Sequence, residues 1–150
     1  MIEYLHLFII SMIPFIELRG AMIYAAVNDM PFLQSFLVCI IGNILPVPFL
    51  IKFSKGILIW LSKFNKIGPL FQKIIDHGNK KALKISGIEL LGLFLFVAIP
   101  IPGTGAWTAS LVSALLQLRL VKSTFAIFLG VIACGIIMGI LSFGIAGIIL

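Results

Sequence analysis

Apolar residues run almost unbroken along this chain, and the few interruptions carry most of its information. Residues 32–51 (FLQSFLVCIIGNILPVPFLI) and 123–150 (STFAIFLGVIACGIIMGILSFGIAGIIL) contain no charge. Each is long enough to cross a hydrocarbon core of about 30 Å, which takes ~20 helical residues. Residues 4–28 and 88–118 are also apolar but break near their centres, at PFIELRG and at PIPGTG. The pieces before the breaks, 4–13 and 88–99, reach only ~15–18 Å as helices. Proline removes a helix donor there and glycine admits irregular dihedrals. Backbone of that kind survives at membrane depth only where protein or a water-filled cavity satisfies it. Two geometries remain open: a kinked helix that crosses, or a re-entrant hairpin that returns to its own side.

Charge placement favours the hairpin. If both interrupted stretches are re-entrant, there are two spans and every Lys and Arg except Arg19 falls on one side, from Lys52 through to Lys122. Glu3 and Asp29 then face the other side, which has no Lys or Arg at all. If both stretches cross, the basic residues are split between the two faces, against the positive-inside rule. Both chain ends are accordingly expected outside and the Lys-rich linker in the cytoplasm.

The order hairpin, span, linker, hairpin, span reads as an inverted repeat, a layout used by many secondary transporters. Repeat 1 covers about 1–61, the linker about 62–86 and repeat 2 about 87–150, within a single transmembrane domain. In the letters the repeat is faint: Ile16, Gly20 and Ala21 stand 85 positions before Ile101, Gly105 and Ala106. In the linker, Ile67, Leu70, Phe71, Ile74 and Ile75 recur at helical spacing, with Pro69 suited to a first turn. This predicts an amphipathic helix lying on the cytoplasmic leaflet. The predicted fold class is therefore all-α integral membrane, an inverted repeat of re-entrant helical hairpin plus transmembrane helix.

Composition agrees and narrows the function. The chain is 61% hydrophobic and 11% charged, with mean hydropathy +1.24, against roughly 25% charged residues in ordinary globular chains. So little polar surface cannot cover a water-facing exterior. The excess of 11 Lys+Arg over 5 Asp+Glu reads as orientation and contact with anionic lipid headgroups; nucleic acid is not expected as a partner. The first apolar run leads into Pro14 rather than a small-residue cleavage site, so no cleavable signal peptide is expected. Cys39 and Cys134 read as packing residues. His6 and His77 match no metal-ligand spacing, so no metal site is expected. Enzyme signatures are absent, including HExxH, Walker A and the nucleophile elbow; neither enzyme activity nor a cofactor is expected.

The candidate chemistry lies at the two breaks. Each precedes a half-helix whose N-terminus points into the membrane interior, where unsatisfied N–H groups attract anions. Arg19 and Gly20 serve the first, while Gly103, Thr104, Gly105 and Thr108 line the second. Asn43, in GNILPVP, is a candidate for substrate contact or for bonding a freed hairpin carbonyl, and Pro46 for a kink. Trp107 is expected to pack as a wedge. Ionisable residues at membrane depth are costly and usually mark substrate or ion pathways, so Glu17 is the candidate proton-coupling residue. The plainer reading is that Glu17 and Arg19 neutralise each other and tie the hairpin together.

PFIELRGA, GNILPVP and VAIPIPGTGAWTASLVSALL, in that order across almost the whole chain, resemble the small multidrug export proteins of prokaryotes. Their hairpin plan is similar to that of DedA-type membrane proteins, for which lipid translocation and proton coupling are discussed. The chain departs from the family pattern after Ala21, where Met22-Ile23-Tyr24 stands in place of a proline. The resemblance implies a transporter of the prokaryotic inner membrane, named for drug efflux. The local electrostatics point instead to an anionic lipid phosphate, which suits Arg19 and two helix N-termini. The alternative is a structural or assembly protein whose hairpins mediate oligomerisation. Expected partners are membrane lipids, protons, a small amphiphilic or lipid-phosphate substrate and a second copy in a homodimer. Gly130, Gly135, Gly139, Gly144 and Gly147 thin the last span and permit close helix approach.

Overall fold

A computed structural model describes residues 2–82 and 87–149, with side chains to residues 80 and 144. Lys84 and the end of the predicted linker lie outside the described residues, as do the side chain of Lys81 and the surroundings of Gly147. The described residues form eight helices and no strand: α1 (Ile2–Met12), α2 (Glu17–Val27), α3 (Phe32–Ile44), α4 (Val47–Leu61), α5 (Gly68–Ala82), α6 (Gly87–Ala98), α7 (Ala106–Leu115) and α8 (Leu120–Ile149).

Two of these stretches are long and apolar enough to cross a membrane: Phe32–Leu61, formed by α3 and α4 together, and Leu120–Gly144 of α8. The first is interrupted at Leu45–Pro46. Pro46 has no N–H to give the Gly42 carbonyl, and Pro48 none for Ile44, so the α-helical ladder is cut there. Large apolar side chains face outward, including Phe49 at 71% and Ile140 at 70% exposed, which suits a lipid surround.

The short helices come in two pairs, α1–α2 and α6–α7, each divided at the breaks read from sequence. α1 packs on α3 and α6 on α8, while α2 crosses to α8 and α7 to α4. The α1–α3 and α6–α8 contacts each turn on one glycine. A Cβ at Gly42 would stand 2.7 Å from the Phe8 carbonyl oxygen, and one at Gly130 would stand 2.8 Å from that of Phe94. Gly135 and Gly139 make similar room for Phe36 and Phe32. These glycines thus serve approaches within the chain, where the sequence pattern had suggested contacts between copies.

The far ends of α2 and α7 also match. The N–H groups of Asp29 and Met30 bond to Ala26 and Ala25, and those of Gln117 and Leu118 to Ala114 and Ser113. Asp29 (φ 52°) and Gln117 (φ 53°) take the left-handed conformation. Each end is a Schellman cap closed by a buried apolar side chain, Met30 or Leu118. Lys55 donates to the Leu118 carbonyl at 2.5 Å, tying α4 to the end of α7. The linker helix α5 touches α4 and α7, with Gly78 against Gln117.

Candidate functional site

The first break turns sharply. Phe15 has φ 72° and Glu17 φ 51°, a left-handed conformation that non-glycine residues adopt at a cost of ~1–3 kcal/mol each and that gathers at functional sites. The turn sends Glu17 inward, where it is only 5% exposed. Its Oε1 accepts the N–H of Trp107 at 3.1 Å. That amide belongs to the first turn of α7, one of the groups a helix leaves unsatisfied at its N-terminus. The carboxylate is therefore set against the positive end of α7.

The second break is shaped to receive it. Gly105 caps α7 in extended conformation, and any Cβ there would fall on the Glu17 carboxylate. Gly103, at φ 88°, makes the preceding turn, which only glycine enters without strain. The indole Nε1–H of Trp107 donates to the Met12 carbonyl at 3.1 Å, satisfying the frayed end of α1. Trp107 thus bonds through both of its N–H groups, a role beyond the packing wedge read from sequence.

Arg19 points elsewhere. Its guanidinium donates to the carbonyls of Val97 (3.4 Å), Ile99 (3.2 Å), Thr104 (2.9 Å) and Ile101, and to Thr104 Oγ1 (3.2 Å). These oxygens form the C-terminal end of α6 and the loop after it, the negative end of a helix dipole. Glu17 and Arg19, two residues apart, are thus bonded to opposite polarities of the second break rather than to each other. Hydrogen bonds to charged groups contribute ~1.5–3 kcal/mol each, so this is also the seam that joins the two halves of the chain.

A pocket of about 250 Å³ opens where the breaks meet, lined by Pro14, Phe15, Glu17, Arg19, Gly103, Gly105, Trp107, Thr108 and Leu111. Of the residues expected from sequence, Glu17, Arg19, Gly103, Gly105 and Thr108 come together here. Thr104 stands behind them as a partner of Arg19, and its hydroxyl donates to Ile101 at 2.8 Å. Thr108 Oγ1 lies 2.8 Å from the Gly103 carbonyl and 3.0 Å from that of Gly105, so its proton is spent on backbone. Gly20 does not line the pocket, and a Cβ there would meet the side chain of Ile16. Asn43 lies on a separate inner cavity, with its Oδ1 unpartnered. Phe15 and Leu111 complete the apolar wall and were not singled out in sequence, because an isolated apolar residue in an apolar run carries no signal.

An all-helical protein with an apolar exterior and a buried acid beside a half-buried base at the junction of two broken helices is of the integral-membrane class. A family profile described as "Putative small multi-drug export protein" matches residues 17–137, and the chain belongs to that family. No curated protein and no solved structure matches it.

Proposed function

We propose that the protein is a small proton-coupled exporter of amphiphilic cations, with Glu17 as the group that holds either the proton or the substrate. One observation carries this reading: the Glu17 carboxylate lines an apolar pocket, beside Phe15, Trp107 and Leu111, while Arg19 turns its Nη2 to the backbone carbonyls of Val97, Ile99 and Thr104. Sequence alone favoured an anionic lipid phosphate, on the premise that Arg19 and the helix N-termini stand free. With the α7 N-terminus facing Glu17 and Arg19 bonded to α6, the pocket's remaining polar capacity is acceptor, which suits a cation. Aromatic faces add attraction for such a group. The anion remains a second reading for a state in which a protonated Glu17 leaves the α7 N-terminus.

In this proposal the α1–α2 and α6–α7 pairs are re-entrant hairpins, and the two halves form an inverted repeat. The matched glycine crossings at Gly42 and Gly130 and the matched caps at Asp29 and Gln117 support that symmetry. The protein lies in the prokaryotic inner membrane as a homodimer, with the linker helix on the cytoplasmic leaflet and its lysines against anionic lipid. An assembly protein is the competing class, favoured by the inward use of Arg19 as a seam.

The test is flux in vesicles reconstituted with the purified chain under an imposed pH gradient, with tetraphenylphosphonium as the cation and a fluorescent phosphatidic acid as the lipid phosphate. Wild type should accumulate the cation and Glu17→Gln should not, while keeping its fold and oligomer size. Gradient-driven movement of the phosphatidic acid instead would establish the anionic reading. No flux of either, with oligomers lost on Arg19→Ala, would establish the assembly role.

A further inference from the structure

Glu17 and Arg19 border a second space besides the open pocket. A small cavity between α2, α3, α6 and α8 is lined by these two residues with Asn43, Val97, Val131 and Cys134, and by Leu18. The two spaces share Glu17 and Arg19 alone, so the acid and base form the partition between them. About 10 Å³ of the inner cavity is open to the centre of a water molecule, the room one ordered water needs.

The lining also has the chemistry of a water site. Asn43 is 3% exposed, and its Oδ1 has no hydrogen-bond partner among the described residues. A buried polar atom without a partner is costly and uncommon. An ordered buried water typically makes two to four bonds; Asn43, the Glu17 carboxylate and the Arg19 guanidinium supply polar groups of both senses. A metal ion is the poorer occupant, since Arg19 sets a full positive charge on the same small space. An empty cavity would leave the Asn43 oxygen unsatisfied.

We propose that this cavity is a water-binding site in which one molecule, held by Asn43, bridges to the Glu17–Arg19 pair from the side away from the open pocket. The water gives the buried carboxylate a hydrogen-bonded neighbour on each face: substrate or solvent in the pocket, bound water within. Its part in proton coupling rests on the exporter reading; its presence does not.

Two buried cysteines make the test. Cys134 lines the cavity at 2% exposed, while Cys39 is 0% exposed and does not line it. X-ray radiolysis of the purified full chain makes hydroxyl radicals from bound water as well as from bulk, and mass spectrometry reads the oxidised sites. The expected result is oxidation of Cys134, with Leu18 and Val97, while Cys39 is spared; Asn43→Leu should abolish the Cys134 signal. Equal sparing of both cysteines in the wild type overturns the water site without recourse to any variant. Oxidation of Cys134 that persists in a folded Asn43→Leu protein overturns the role of Asn43. No substrate is involved, so a chain that labels as expected but moves no cation loses the exporter reading and keeps the water.

Discussion

The Glu17 carboxylate accepts the backbone N–H of Trp107 at 3.1 Å, from a residue ninety positions further along the chain. The acid of the first break thus serves as N-terminal partner to the half-helix of the second. The arrangement depends on the missing side chain of Gly105. Gly105→Ala should force the carboxylate off the helix and lose a charge-assisted bond of ~1.5–3 kcal/mol. The expected outcome is a matching fall in stability by thermal unfolding in detergent. Glu17→Gln, which keeps an acceptor for the Trp107 amide, should cost less than ~1.5 kcal/mol. A Gln variant as unstable as the Ala variant would show that charge, not geometry, holds the two breaks together.

Arg19 lies within hydrogen-bond distance of four carbonyls and a hydroxyl, four of the five through Nη2, and a planar guanidinium divides its fork of donors among them better than an ammonium can. Arg19→Lys keeps the charge but offers three donors on a compact head. It should recover less than half of the stability that Arg19→Ala loses, with the Ala loss about 1.5–3 kcal/mol as bonds from a charged donor are removed. Thermal unfolding of both variants checks this. Full recovery by lysine would mean that the contact is a general charge effect on the α6 dipole.

The breaks and long spans were legible because each rests on local signals: proline, glycine and charge interrupting a continuous apolar run. The linker helix was legible for the same reason, since Ile67, Leu70, Ile74 and Ile75 repeat at helical spacing. What faces Glu17 and Arg19 was not legible. Their partners are backbone amides and carbonyls, which every residue carries and no letter marks, and they lie about eighty to ninety positions away. Sequence could therefore place an acid and a base at a break and see helix N-termini as vacant, without seeing that Glu17 meets one of them. Gly130, Gly135 and Gly139 show the same limit. A small residue announces a close approach but not the neighbour, and their neighbours are Val97, Phe36 and Phe32 of this chain.

Gly42 and Gly130 hold equivalent crossings, one against Phe8 and the other against Phe94. Gly42→Val and Gly130→Val should each destabilise by ~1–3 kcal/mol through overpacking, and by similar amounts if the halves are related by symmetry. The double variant should be close to additive, because the two crossings share no contacting residue. Thermal unfolding of the three proteins checks both points. A large loss at one site with none at the other would indicate that the resemblance of the crossings is superficial.

Topology is the expectation on which the hairpin reading depends most. Asp29 ends α2, Lys63 follows α4 and Lys122 opens α8, and all three are exposed, so a cysteine at any of them can be reached by a reagent. Re-entrant pairs return to their own side. On that geometry Asp29→Cys should be modified by a membrane-impermeant maleimide in intact cells, whereas Lys63→Cys and Lys122→Cys should react only after the membrane is opened. Kinked crossings move position 29 to the cytoplasmic side or put 63 and 122 on opposite sides. Native Cys39 and Cys134 are buried and unpaired, and the unaltered chain supplies the background. Protection of Asp29→Cys in intact cells, or labelling of only one of the other two, would replace the hairpins with crossing helices. Glu17 would then lie on a pathway through a bundle rather than between two re-entrant tips.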